Sequence, residues 1–211
     1  MAKTNNLLSD VSDYYTDKVE QFGASPQGVD WNGEESQNLR FDQLSKILEE
    51  PQSCSLNDLG CGYGAFVDYI STKDWSIDYA GYDVSEKMIH IAQNKFSEVS
   101  NANFFVGSSP SRVADFNIAS GIFNVKMKRK KDEWENYILT TLDILHETCS
   151  TGFAFNCLTS YSDSHKMRTD LYYSDPCWLF DVCKKRYSRN VALLHDYDLY
   201  EFTILVRRHH A

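Results

Sequence analysis

The sequence predicts an α/β fold: a seven-stranded, mostly parallel sheet with helices on both faces and an antiparallel hairpin at its C-terminal edge. Three observations lead to this prediction. The chain has 211 residues, a length that suits one domain. From about residue 55 onwards, short apolar runs alternate with segments of helical periodicity. The last two apolar runs are separated by only a tight turn, as in a hairpin.

The strands are predicted from short apolar and aromatic runs bounded by turn-forming or polar residues. Seven such runs occur, and most are separated by a helical segment, which is the arrangement of a doubly wound sheet. They comprise residues 55–59, 76–82, 103–106, 115–120, 152–158, 191–195 and 201–206.

The helices are predicted from apolar residues at helical spacing and from their end signals. Ser85 is a predicted N-cap, Asp175-Pro176 combines an N-cap with proline at the first helical position, and Pro51 ends an earlier run. The helices are expected at 34–49, from about 65, from 85 to 96, at 134–145 and from 175 to about 187.

The first 33 residues are predicted as a short helix followed by a long ordered arm, and residues 34–211 as the main domain. Two aromatic sites stand out in the arm, the pair Tyr14-Tyr15 and Trp31. Large aromatic side chains bury much area and carry a polar edge. They either close over a bound ligand as a lid or anchor the arm to the core.

The composition excludes several classes of protein. With 21 basic and 30 acidic side chains, the formal charge of −9 opposes nucleic-acid binding. The basic run 126–131 is interpreted as a solvated segment, the alternative being attraction of an anionic substrate. No stretch is apolar over the roughly 18 residues that span a membrane. The six cysteines lack zinc-site spacing and suit free thiols in the cytoplasm. No metal site is predicted.

A glycine-rich turn is the segment that most clearly indicates which ligand the protein binds. The segment Asp58-Leu59-Gly60-Cys61-Gly62-Tyr63-Gly64 follows the first strand, and Asp83 ends the second. Such a turn brings backbone N–H groups close to a ligand, and an acid after the second strand suits ribose hydroxyls. The turn half-matches a dinucleotide motif, but Asp58 opposes a pyrophosphate and suits an ammonium group. S-adenosylmethionine combines a ribose with an amino-acid tail.

These motifs resemble those of the class I S-adenosylmethionine-dependent methyltransferases, which have a Rossmann-like sheet. The resemblance covers about residues 34–206, and it implies S-adenosylmethionine as cofactor. The turn after the third strand usually offers an acid to the adenine, whereas Gly107-Ser108-Ser109 stands here. The implied cofactor residues are Asp58, Gly60, Cys61, Gly62, Gly64, Asp83, Val84, Met88, Gly107, Ser108, Ser120, Gly121, Trp31 and Arg40.

A narrower resemblance concerns the acceptor of the methyl group. Residues 28–32, 119–125 and 194–197 resemble segments of small methyltransferases from bacterial capsule and O-antigen gene clusters. This resemblance implies a cytoplasmic enzyme that methylates a sugar or another small polar precursor of a surface polysaccharide. The fourth strand ends without the proline-containing clamp and without the Pro-Cys of base-modifying enzymes, so nucleic-acid bases are poor acceptors. Oxygen is preferred to nitrogen as the acceptor atom, because no acidic clamp for an amine stands out.

An oxygen acceptor favours a general base at the carboxyl end of a strand. His195 is the predicted base, since an unperturbed imidazole titrates near about pH 6.5, and Tyr161 is a second catalytic candidate. The alternatives are an NAD-dependent oxidoreductase, a non-catalytic nucleoside-binding module and N-methylation. A homodimer through the edge hairpin is a further expectation. The predicted substrate-binding residues are Tyr14, Phe123, Asn124, His165 and Arg168.

Overall fold

The computed structural model describes residues 2–31, 33–48, 53–73 and 75–208. Its central sheet has seven strands: β1 (Cys54–Leu59), β2 (Ile77–Asp83), β3 (Ala102–Val106), β4 (Ala114–Ala119), β5 (Cys149–Leu158), β6 (Asn190–Leu194) and β7 (Glu201–Arg207). Their order is β3-β2-β1-β4-β5-β7-β6. Neighbouring strands are parallel except for β7, which pairs antiparallel with both β5 and β6. The predicted fold class is confirmed, including the hairpin at the edge.

In the part of the chain that the structure describes, six α-helices surround the sheet: α1 (Ala2–Phe22), α2 (Glu34–Leu44), α3 (Ala65–Ser71), α4 (Glu86–Lys95), α5 (Lys131–Glu147) and α6 (Pro176–Arg186). Both predicted N-caps are present, because the Ser85 side chain accepts from the Met88 N–H and Asp175 accepts from two N–H groups of α6. Helix α2 ends earlier than predicted and passes into a 3₁₀ turn at Ser45–Ile47. The predicted stop at Pro51 lies outside the described residues.

The core has one apolar layer on each face of the sheet. Helices α5 and α6 cover one face through residues such as Trp134 and Leu179, while α2, α3 and α4 cover the other through Phe41, Phe66 and Ile89. Each of these side chains is buried. Two covered faces explain why β1 and β4 are mostly buried. The polar Asn57 and Asn117 are buried with them and hydrogen bond to each other. Within the described chain, no helix is long and apolar enough to cross a membrane.

The N-terminal segment differs from its prediction. Instead of a short helix and a long arm, α1 extends over 21 residues, and only residues 23–31 form the arm. The reason is a helical apolar stripe hidden in a polar segment: Leu7 and Val19 are buried, and Leu8, Val11 and Tyr15 lie between them on the same side. Tertiary packing of this stripe, more than local propensity, stabilises a helix of this kind.

Candidate cofactor site

A partly open cavity lies at the carboxyl ends of β1 to β4. The strand order reverses between β1 and β4, which is where ligands bind in open α/β sheets. The floor comes from the turns after the strands, and α1, the arm and α2 form the roof. The lining residues are Leu8, Val11, Tyr15, Val29, Trp31, Gln37, Phe41, Asp58, Leu59, Gly60, Cys61, Gly62, Tyr63, Ala65, Phe66, Asp83, Val84, Met88, Gly107, Ser108, Ser120, Gly121, Ile122 and Tyr137.

The glycine turn after β1 requires glycine for two separate reasons. Gly60, Gly62 and Gly64 all have positive φ, at 79°, 54° and 82°, a region that other residues rarely adopt. A Cβ on Gly60 would also lie 2.1 Å from Cγ2 of Ile122. The turn therefore keeps its backbone N–H groups at the floor of the cavity because side chains are absent.

The Asp83 carboxylate at the end of β2 is fixed by the backbone. One oxygen accepts from the Gly62 N–H and the other from the Ser85 N–H, each at 2.9 Å. Burial raises the pKa of Asp83, and hydrogen bonds from the backbone oppose this shift. The acid thus joins the glycine turn to the start of α4, and it lines the cavity where the resemblance predicts a ribose.

Asp58, the other acid of the motif, lies beneath the turn. It is buried, and it accepts a hydrogen bond from the Tyr79 hydroxyl at 2.7 Å. Burial raises the pKa of Asp58 to about 7, the Tyr79 hydrogen bond opposes the shift, and the charge of Asp83 adds to it. Near neutral pH this carboxyl is therefore only partly ionised.

The pKa of Asp58 makes stability depend on pH. Because the folded protein holds this proton more tightly than an unfolded aspartate does, the group contributes stability below about pH 4 and loses it as pH rises through about 7. We expect Asp58→Asn to gain stability relative to the wild type as pH rises from 5 to 8. The free energy of unfolding in urea, measured for both proteins at the two pH values, tests this. A stability difference between variant and wild type that is the same at both pH values would contradict it.

The arm and α1 are held over the cavity by polar contacts at Asp30. Its carboxylate accepts from the Tyr14 hydroxyl and from the Lys18 ammonium, each at 2.8 Å, and Arg168 lies 3.7 Å away. These contacts lower the pKa of Asp30 despite its partial burial. The predicted lid therefore divides into two roles: Tyr15 and Trp31 line the cavity, and Tyr14 anchors the helix.

The predicted cofactor residues line this one cavity, except for Gly64 and Arg40. Gly64 shapes the turn from behind, because a Cβ there would lie 2.6 Å from the Phe96 ring. Arg40 is buried and binds Glu201 through two hydrogen bonds of 2.8 and 2.7 Å. Its guanidinium lies 4.7 Å from the centre of the Trp31 ring. Arg40 thus supports the cavity wall from the side away from the ligand.

The Arg40–Glu201 pair should respond to substitution as a buried ion pair. Removing one partner leaves an unpaired buried charge, which costs about 3–5 kcal/mol, whereas an apolar replacement of both is often tolerated. We expect Glu201→Leu to destabilise the protein strongly and Arg40→Met/Glu201→Leu to recover much of the loss. The free energy of unfolding in urea measures both. If the double variant instead loses the sum of the stabilities lost on replacing each partner alone, the two residues do not act as a buried ion pair.

The predicted acceptor residues lie around the cavity and do not line it. Phe123 is fully buried against Phe155, and Asn124 accepts from the Leu158 N–H, so both support the wall from behind. Arg168 binds Asp170 as well as approaching Asp30. His165 is exposed in a short turn. These placements leave the acceptor roles as predictions.

The predicted base and its neighbour lie together at the same edge of the sheet. His195 and Tyr161 are both exposed, and their ring centres are 5.9 Å apart. Neither lines the cavity. The sequence prediction missed the residues that do close it on the β4 side, Ile122 and Tyr137, and it missed Leu8 and Val11. The i, i+3, i+7 spacing of Leu8, Val11 and Tyr15 was the available signal.

The donor set of the cavity fits S-adenosylmethionine. Asp83 offers a carboxylate to ribose hydroxyls, the glycine turn offers N–H groups, and Asp58 offers an acid to an ammonium group. Gly107 and Ser108 line the side beyond Asp83, where the resemblance predicts the adenine. Leu8, Val11 and Trp31 make the roof of the site largely apolar.

Comparison with known proteins agrees with this site. A sequence model described as a methyltransferase domain matches residues 57–123, which include the glycine turn and Asp83. A protein of Mycobacterium tuberculosis (strain ATCC 25618 / H37Rv), named "Putative methyltransferase Rv1506c", is 54% identical over 163 residues, or 77% of this chain and 98% of that protein. The chain belongs to the class I S-adenosylmethionine-dependent methyltransferases.

Solved structures share the fold at low sequence identity. Magnesium protoporphyrin IX methyltransferase (ChlM) from Synechocystis PCC 6803 with bound S-adenosylmethionine has a TM-score of 0.65 and 13% identity, over 95% of this chain and 96% of that chain. The DhpI-SAM-HEP complex also has a TM-score of 0.65 and 13% identity, over 94% and 96%. At this identity the likeness concerns the architecture alone.

Proposed function

We propose that this methyltransferase acts in the cytoplasm on an oxygen of a small polar acceptor, a sugar or another precursor of a surface polysaccharide. The observation that carries the proposal is the shape of the cavity. Beyond the cofactor groups it continues over the end of β4, under Trp31 and α1, where aromatic side chains enclose it. Such an enclosed space suits a small molecule, and aromatic rings with polar edges suit a sugar.

The side chains of the protein would position the acceptor against the cofactor and would exclude water from the site. When bound, S-adenosylmethionine supplies an electrophilic methyl group, so the protein has to align the acceptor with it. Asp83 and the glycine turn hold the nucleoside and amino-acid parts, while Leu8, Val11 and Trp31 close the apolar roof. The charge of −9 opposes nucleic-acid acceptors. All six cysteines are free thiols, which suits a reducing compartment.

Two experiments test this proposal in sequence. Calorimetric titration with S-adenosylmethionine, and in parallel with NAD, establishes the cofactor: we expect binding of S-adenosylmethionine alone. Transfer of a tritium-labelled methyl group is then measured on glucose, glucuronic acid and their UDP derivatives, and on glucosamine as an amino compound. Labelling of a sugar supports the proposal. Labelling of amino compounds only would favour N-methylation, and binding without any transfer would favour a non-catalytic nucleoside-binding module.

A further inference from the structure

The cavity contains polar groups that the cofactor parts assigned above do not account for. Asp58, Asp83 and the glycine turn serve the amino-acid and ribose parts, and Gly107-Ser108 lie on the adenine side. Gln37 and Tyr63 hydrogen bond to each other at 3.3 Å. The groups that then remain include the phenols of Tyr15 and Tyr137, both on residues that line the cavity; the Tyr137 phenol also has Thr141 as a neighbour within hydrogen-bond reach.

Tyr15 and Tyr137 approach the cavity from opposite elements. Tyr15 comes from the roof helix α1, and no hydrogen bond to another described side chain involves its hydroxyl. Tyr137 comes from α5, where it packs against Trp134 with ring centres 4.9 Å apart and against Phe123. Ile122, which sits on the glycine turn, belongs to the same wall. Tyr15 also packs against the cluster of Val19, Tyr63 and Met88. The two phenols therefore reach the cavity from different walls and lie next to the groups assigned to the cofactor.

Both phenols are hydrogen-bond donors at neutral pH. Burial raises the pKa of Tyr137 to about 12, and burial also raises that of Tyr15. Among the described lining residues the only carboxylates are Asp58 and Asp83, and both already accept hydrogen bonds from the protein. The cavity thus presents donors to an acceptor molecule and no uncommitted base.

This donor set distinguishes between classes of oxygen nucleophile. A sugar hydroxyl must lose a proton during methylation, which requires a base within hydrogen-bond reach. A carboxylate is already ionised and accepts hydrogen bonds from phenols. The sulfonium of the methyl donor supplies a positive charge in the same space.

We propose that Tyr15 and Tyr137 bind a carboxylate of the acceptor, and that a carboxylate oxygen receives the methyl group; the inference rests on the proposed function and narrows it to sugar acids. The oxygen lone pair forms the new bond to the methyl carbon. The carbon–sulfur bond breaks, and its electron pair stays on sulfur. The products are a methyl ester and neutral S-adenosylhomocysteine, and no proton has to be removed.

The test compares matched acceptors and matched variants. Wild-type protein is incubated with tritium-labelled S-adenosylmethionine and glucose, UDP-glucose, glucuronic acid or UDP-glucuronic acid. Mild alkali then separates esters, which release volatile methanol, from stable ethers. We expect alkali-labile label on the glucuronic acid compounds only. Tyr15→Phe and Tyr137→Phe should each lower kcat/KM about 10- to 100-fold, since each loses a hydrogen bond to a charged group, and this loss should exceed any change in affinity for S-adenosylmethionine.

Tyr187→Phe is the control, because the Tyr187 hydroxyl donates to Asp143 outside the cavity. Alkali-stable label on glucose compounds would overturn the carboxylate assignment and leave the proposed function standing. Wild-type kcat/KM in both cavity variants would overturn the roles of the two tyrosines. Binding of S-adenosylmethionine without label on any of the four sugars would overturn the sugar assignment altogether.

Discussion

Asp83→Asn is expected to weaken the binding of S-adenosylmethionine about 100-fold. Hydrogen bonds to a charged group contribute about 1.5–3 kcal/mol each, and an amide keeps only one accepting oxygen. That oxygen cannot serve the Gly62 N–H, the Ser85 N–H and a ribose together. Calorimetric titration of the folded variant measures the loss.

The control for this experiment is Asp78→Asn. Asp78 belongs to the same strand β2, but it is exposed and pairs with Arg112 at the surface, where an ion pair contributes little. Its removal should leave affinity for the cofactor unchanged. Wild-type affinity in Asp83→Asn would show that Asp83 does not hold the ribose.

Gly60→Ala is expected to destabilise the protein by about 3 kcal/mol or more and to abolish cofactor binding. The new Cβ would lie 2.1 Å from Ile122, at a φ of +79°, so overpacking and backbone strain add. For a chain of this size, that loss corresponds to a fall in Tm of about 6–12 °C. Thermal unfolding and titration with S-adenosylmethionine measure the two effects.

Ile122→Ala separates the two causes of this loss, the overpacking against Ile122 and the backbone strain at Gly60. It removes the methyl group that the new Cβ would meet, so that only the cost of the left-handed backbone remains, about 1–2 kcal/mol. Gly60→Ala should therefore be tolerated better in the Ile122→Ala background than in the wild type. An equal loss in both backgrounds would show that the contact with Ile122 does not decide the requirement for glycine.

The features that sequence reasoning predicted well are local. The glycine turn, the acid after β2 and the caps at Ser85 and Asp175 each depend on residues within a few positions of one another. Backbone geometry imposes these requirements wherever such a turn occurs. The alternation of strands and helices follows from burial of both sheet faces, which is also visible in short windows of sequence.

The features that sequence reasoning missed depend on contacts between distant parts of the chain. Arg40 was predicted to bind the cofactor, yet the structure pairs it with Glu201, which lies 161 positions away. No local pattern marks such a partner. Likewise, the inward orientation of Tyr15 and the outward orientation of Tyr14 depend on where α1 crosses the sheet. Asp30 and Val84 determine that position through contacts with α1.

The placement of α1 has a consequence for the kinetics of turnover. Leu8, Val11 and Tyr15 of this helix form part of the cavity roof, so a movement of α1 would widen the route by which cofactor and product enter and leave. Such a movement would break the Asp30 contacts with Tyr14 and Lys18. Segment motions of this kind occur in microseconds to milliseconds and limit the overall rate of many enzymes. We expect substitutions at Asp30 to act on product release and to leave the chemical step unaffected.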